Sequence, residues 1–118
     1  MKCAPLMRPE RRLIAERRIE NMGIRLMATA QKIVDHGIRL VIMGQDIAEY
    51  GGVFKITEGF VEEFGKERVR NTPISESGVI EAAYGLSVNG KKAVVELQFG
   101  DFITSGFNPV INLLAKSH

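Results

Sequence analysis

Glu76 is the ionisable residue best placed to do chemistry in this sequence. It follows Thr72-Pro73-Ile74-Ser75, where the proline keeps the preceding chain extended and Ser75 caps a helix that starts at Glu76. A carboxylate in the first turn of a helix is favoured by the helix dipole, so its plain role is that of a capping acid. Its functional role would be to exchange a hydrogen bond or a proton with a ligand nitrogen in a cleft. Spacing alone does not choose between them. A second group is Gln98-Phe99-Gly100-Asp101-Phe102. Phe99 and Phe102 have the plain reading of core aromatics, and the sharper one of a ring stacked beneath a planar heterocycle. Gln98 offers both a donor and an acceptor, although glutamine at a strand end is commonly a solvated rim residue. The third group runs from Gly44 to Gly52, where Tyr50-Gly51-Gly52 admits backbone conformations closed to other residues.

Other chemistries are poorly served. No G-x-G-x-x-G, Walker loop or G-x-S-x-G elbow occurs. His36 and His118 stand in no metal-ligand spacing with Cys3 or the carboxylates, which argues against a metal site. The single cysteine, Cys3, forms no internal disulfide and points to a reducing cytoplasm.

The elements that must position these groups are those of one domain of 118 residues, 45% hydrophobic and 25% charged. No apolar stretch reaches the ~20 residues of a membrane helix, and no secretory signal pattern is present. Charge is uneven. Residues 1–18 carry six basic residues and two acids, net +4, whereas the remainder carries ten and twelve, net −2. With Pro5 and Pro9 and no clean apolar stripe, residues 1–18 form an exposed basic arm or linker that turns helical after Pro9. Its arginines are interleaved with acids and lack aromatics for base stacking, which argues against nucleic-acid binding.

From Ile19, the residues Met22, Leu26, Ala30 and Ile33 recur at helical spacing until His36-Gly37. Arg39-Leu40-Val41-Ile42-Met43 suits a strand covered on both faces. Thr57 caps a short helix over Phe60 to Phe64, and Arg68 to Pro73 is extended. A helix from Glu76 turns Val79, Ile80, Ala83 and Leu86 inward, Ala93 to Phe99 is the second clear strand, and Asp101 to Ala115 is a last helix with an irregular start around Pro109. Alternating strands and helices predict an α/β fold, a parallel sheet flanked by helices. Two clear strands are few for a finished sheet, so the domain over residues 19–118 reads as truncated. Ligands of such sheets bind at the carboxyl ends of the strands, where all three groups lie.

Three strings taken together resemble a known family: Gly44-Gln45-Asp46-Ile47-Ala48-Glu49-Tyr50-Gly51-Gly52-Val53-Phe54-Lys55, Asn71-Thr72-Pro73-Ile74-Ser75-Glu76-Ser77-Gly78, and Val95-Glu96-Leu97-Gln98-Phe99-Gly100-Asp101-Phe102. Their order and spacing resemble the beta chain, or beta half, of the thiamine-diphosphate-dependent decarboxylating component of 2-oxo acid dehydrogenase complexes. The resemblance runs from about Gly37 to the end and implies the first part of a transketolase-like pyrimidine-binding domain. It implies that Glu76 bonds the pyrimidine nitrogen and favours the imino tautomer that deprotonates the thiazolium carbon. It further implies that Phe102 packs on the pyrimidine and that Gln98 and Ile74 are lesser wall contacts, while Phe99 keeps its core role. Oxidative decarboxylation of a 2-oxo acid and acyl transfer to a lipoyl-bearing acyltransferase would follow, with the cofactor carrying the carbanion chemistry. Magnesium and the diphosphate would be held by the alpha-type chain, whose Gly-Asp-Gly motif is absent here. Gln45 stands where many members have an acid, and Pro109 where a polar residue is more usual.

The leading expectation is therefore an enzyme part of branched-chain 2-oxoisovalerate type, with pyruvate and acetoin types as alternatives, inactive as an isolated chain. The rival is a non-catalytic interaction module docking on an alpha-type subunit. An oligomer is expected either way, because an unfinished sheet leaves a bare edge.

Overall fold

The computed structural model describes residues 9–117; Cys3, the first part of the basic arm and His118 lie outside them. Helix α1 spans Pro9–Asp35, 27 residues, so the arm is helical from its second proline onward. Proline suits that first helical position because its missing N–H would have no partner there. The helix closes where glycine predicted it. Gly37 takes φ +74°, its N–H donates to the Val34 carbonyl at 2.8 Å, and the Ile38 N–H donates to Ile33 at 3.3 Å, the paired bonds of a left-handed cap.

Strand β1 (Leu40–Gly44) follows at once and is buried throughout. It lies at the centre of a three-stranded sheet between β2 (Val69–Asn71) and β3 (Lys92–Glu96), parallel to both. Its side chains alternate between two cores. Leu40 and Ile42 pack with Ala30 of α1, Ile47, Phe60 and Val69, whereas Val41 and Met43 pack with Val79 and Leu86 from the other face. Helix α2 (Phe60–Phe64) joins α1 on the first face, and helix α3 (Glu76–Val88) covers the second. Helices on both faces of a parallel sheet are the α/β architecture that the sequence predicts.

Several local expectations need correction. The extended segment before Pro73 contains a third strand, β2, whose Arg70 and Asn71 are exposed. Thr57 does not cap α2, whose N-terminal flanking residue is Gly59 at φ +82°; instead its buried hydroxyl donates to the Ile47 carbonyl at 2.8 Å. Ser75 occupies the position before α3 but makes no side-chain cap bond. Met22, assigned to the inward stripe of α1, remains exposed.

The last segment is three short helical pieces rather than one helix: a 3₁₀ stretch Gly100–Gly106, helix α4 (Phe107–Asn112) and a 3₁₀ turn Leu114–Lys116. Pro109 sits in the first turn of α4, where its lost N–H is tolerated. Gly106 is buried against α3, and a β-carbon there would collide with Ile80 Cδ1. Beside it the Ser77 hydroxyl donates to the Ser105 carbonyl at 2.7 Å. The segment that carries Phe102 is thereby fixed to the first turn of α3.

Candidate functional site at the carboxyl ends of the strands

Strand register brings three residues into one row at the carboxyl edge of the sheet. Gly44 pairs with Asn71 on one side and with Glu96 on the other. The loop after β1 folds over this row and is held from several directions. Asn71 accepts the Ala48 N–H at 2.8 Å and donates to Glu49 Oε2 at 3.2 Å. The Thr72 N–H donates to the Gly44 carbonyl at 2.8 Å, and the Gly52 N–H to that of Asp46 at 2.8 Å. Gly51 and Gly52 have φ of +77° and +76°, the left-handed region where a β-carbon is strained. Gln98 ties the far side of the loop to β3, its amide donating to the Gln45 carbonyl at 3.4 Å.

Glu76 is the first residue of α3 and is half-buried. Ile74, two residues earlier, is 82% exposed on the rim. Phe102 lies in the 3₁₀ stretch beyond β3, 36% exposed, with its ring edge-on to Phe99 at 5.2 Å. Phe99 in turn meets Phe54 at 5.7 Å, so it is a half-buried ring standing between two others, outside both core clusters, whereas the sequence expectation put it in the core. The four residues marked from sequence thus fall into two sets on one edge of the fold. Ile74 and Glu76 stand on the β2–α3 turn, Gln98 and Phe102 on the segment after β3, and the Ser77–Ser105 bond joins the two segments.

Sequence reasoning passed over Glu96. Its Oε2 is buried without a hydrogen-bond partner among the described residues, and burial raises its carboxyl above the usual carboxylate pKa. The glycines shape its setting. A β-carbon on Gly52 would come within 3.4 Å of both carboxylate oxygens, and one on Gly44 within 3.0 Å of the Glu96 Cβ. Thr72 Oγ1, next to Asn71 on the row, is also buried without a partner. The available signal was an acid ending the strand directly after three apolar residues, Ala93-Val94-Val95-Glu96.

Chemically, this edge offers a carboxyl group at a helix N-terminus, a half-exposed aromatic face, an exposed aliphatic side chain and a neutral amide. Such a set suits a flat heterocycle with ring nitrogens, which the carboxyl bonds and the ring stacks on. A groove of about 810 Å³ lies elsewhere, between α3 and the β2 side, and includes neither Glu76, Gln98 nor Phe102.

Comparison with known proteins gives a consistent answer. The family described as the transketolase pyrimidine-binding domain matches residues 23–118. The beta subunit of the pyruvate dehydrogenase E1 component of Leifsonia xyli is 46% identical over 65 residues, 55% of this chain and 19% of that protein. A mitochondrial 2-oxoisovalerate dehydrogenase beta subunit of Arabidopsis thaliana is 43% identical over 65 residues, covering 55% and 18%. The beta subunit of acetoin:2,6-dichlorophenolindophenol oxidoreductase of Bacillus subtilis is 48% identical over 65 residues, covering 55% and 19%. The matched segment spans about a fifth of the length of these relatives.

Proposed function

This chain belongs to the transketolase pyrimidine-binding domain family, and from that premise we propose that it supplies the pyrimidine-facing side of a thiamine diphosphate site in a 2-oxo acid dehydrogenase. The observation that carries this proposal is the half-buried Glu76 at the start of α3, beside the segment that presents the Phe102 ring. When bound, the cofactor supplies the carbanion chemistry on which loss of carbon dioxide from a 2-oxo acid depends. The rest is the work of side chains. Glu76 exchanges a proton with a ring nitrogen at its carboxyl oxygens, Phe102 offers its face to the ring, and Gln98 and Ile74 wall the sides. Rigid support matters as much as identity, since a small misplacement of a proton-transfer group is costly. The loop over Gly44, the Asn71 bonds and the packing of Gly106 on α3 provide that support.

The donor set fits the heterocycle. The magnesium and diphosphate are assigned to an alpha-type partner subunit, in keeping with relatives that are themselves named beta subunits. Branched-chain 2-oxo acids are the favoured substrates, with pyruvate and acetoin next, and a lipoyl-bearing acyltransferase is the acceptor. A reducing cytoplasm is the proposed setting, from the single cysteine of the sequence.

The test is turnover by the assembled enzyme on 3-methyl-2-oxobutanoate, pyruvate and acetoin. Glu76→Gln should lower kcat by about 10²- to 10⁴-fold on whichever substrate is used, the span of general acid–base catalysis. Full turnover by that variant would remove Glu76 from the chemistry. The highest kcat/KM on pyruvate or acetoin would overturn the branched-chain preference alone.

A further inference from the structure

The front half of α1 carries a surface that the cofactor site does not use. Leu13, Arg17, Glu20, Ile24, Met27 and Gln31 follow one another at alternating steps of four and three residues, the spacing of a helix seam that packs against another helix. Leu13 and Ile24 are 60% and 61% exposed, and Arg17 and Glu20 between them are exposed too. Toward Gln31 the seam becomes one wall of an apolar groove of about 620 Å³, completed by Ile56 and Phe60. Glu20, Glu58 and Glu63 flank that groove against the single Lys55, whereas the front of α1 is net basic, with Arg11, Arg12, Arg17 and Arg18 against Glu10 and Glu16, of which Arg12 and Glu16 pair with each other at 2.9 Å.

The seam is self-complementary when reversed. Leu13 and Ile24 lie equally far from a point between Arg18 and Ile19, and so do Arg17 and Glu20. An antiparallel copy turned about that point sets Leu13 against Ile24, Arg17 against Glu20, and then each pair again in reverse. That is the signature of an isologous two-fold contact, in which each residue meets the partner of its own partner. It also carries the basic front of each helix over the acidic rim of the other copy's groove. Parallel pairing would oppose Arg17 to Arg17 and Glu20 to Glu20, so the central charges specify orientation. We propose that two copies of this chain associate through α1, paired antiparallel about a two-fold axis between Arg18 and Ile19, with Leu13–Ile24 and Arg17–Glu20 as the contacts that set the register.

The test is sedimentation of the full chain with single and paired charge reversals. The chain should sediment at twice its 13.1 kDa mass. Arg17→Glu alone and Glu20→Arg alone should each sediment as monomers, because each places like charges in contact at both ends of the axis. An equimolar mixture of the two should recover the dimer as a one-to-one pair, since both contacts then join opposite charges. Circular dichroism of each variant checks that α1 is intact, and the mixture supplies its own control because neither partner pairs alone. A chain that is monomeric at every concentration would overturn the proposal. So would a dimer that both reversals leave intact, which would mean association through another surface such as the β3 edge, or variants that stay monomeric when mixed.

Discussion

Glu96 ends β3 directly after three apolar side chains, and its carboxyl pays for that position in solvation. Burial holds its pKa above the ordinary value. The unfolded chain releases the same proton near the usual carboxylate pH, about 4.3. As pH rises from there through the raised folded value, the unfolded state loses a proton that the folded state keeps, so stability falls across that window. Below the unfolded pKa the penalty is absent. Glu96→Gln should therefore raise Tm at about pH 7 and leave it unchanged at about pH 3. An equal shift at both would assign the effect to packing instead of charge. Phe102 makes a different kind of prediction. Its ring is already partly open, so Phe102→Ala should cost little in Tm yet weaken thiamine diphosphate binding to the assembled enzyme by about tenfold, the worth of a stacked aromatic contact. Unchanged affinity in that variant would take the ring out of the site.

The loop between β1 and α2 is the element on which the site's geometry rests, and its Gly51, set beside Gly37 at the end of α1, separates two effects. Gly51 and Gly37 have nearly the same φ, +77° and +74°, but a β-carbon on Gly51 would lie 2.8 Å from Glu58 Cα whereas one on Gly37 meets nothing within 4 Å. Urea unfolding should therefore show Gly37→Ala losing about 1–2 kcal/mol from backbone strain alone, with Gly51→Ala losing distinctly more. Equal losses would mean that the loop yields to the extra atom. Thr57→Val should cost about 1–3 kcal/mol by leaving the Ile47 carbonyl unpaired in the core. What the sequence made legible follows the same physics. β1 and α3 were readable because burial on both faces leaves an apolar run, and a one-sided helix leaves a stripe, as at Val79 and Ile80. β2 was not, because an edge strand of three residues exposes Arg70 and Asn71 and buries only Val69. Thr57 misled because its spacing before Phe60 imitates a helix cap, while its bond runs back to Ile47 near the start of the same loop. Glu76, Gln98 and Phe102 were legible from their places at a helix start and past a strand end, Ile74 and the role of each only through a resemblance of whole strings, and Glu96 was missed because its environment is made by Gly44 and Gly52, far from it in sequence.

At the scale of the whole molecule, both outer strands of the sheet have an edge unpaired among the described residues, and the apolar residues of β3, Ala93, Val94 and Val95, are only half-buried. Beyond it, Ile103, Phe107, Ile111 and Leu114 are exposed on the last helical segment. Apolar surface of this kind marks a place where further protein packs, in keeping with a chain matched to about a fifth of its relatives. The site shares that character, holding groups suited to a heterocycle on one edge of the fold. The isolated chain should therefore show no decarboxylation of a 2-oxo acid, and turnover by it alone would contradict the division of the site between subunits. The central claim, that Glu76 drives proton removal at the cofactor, is tested most directly before any substrate is bound. The measurement is the rate of deuterium exchange at the thiazolium carbon of thiamine diphosphate in the assembled enzyme. Glu76→Gln should slow that exchange by about 10²- to 10⁴-fold with the cofactor still bound; exchange at the unaltered rate would contradict the role given to Glu76.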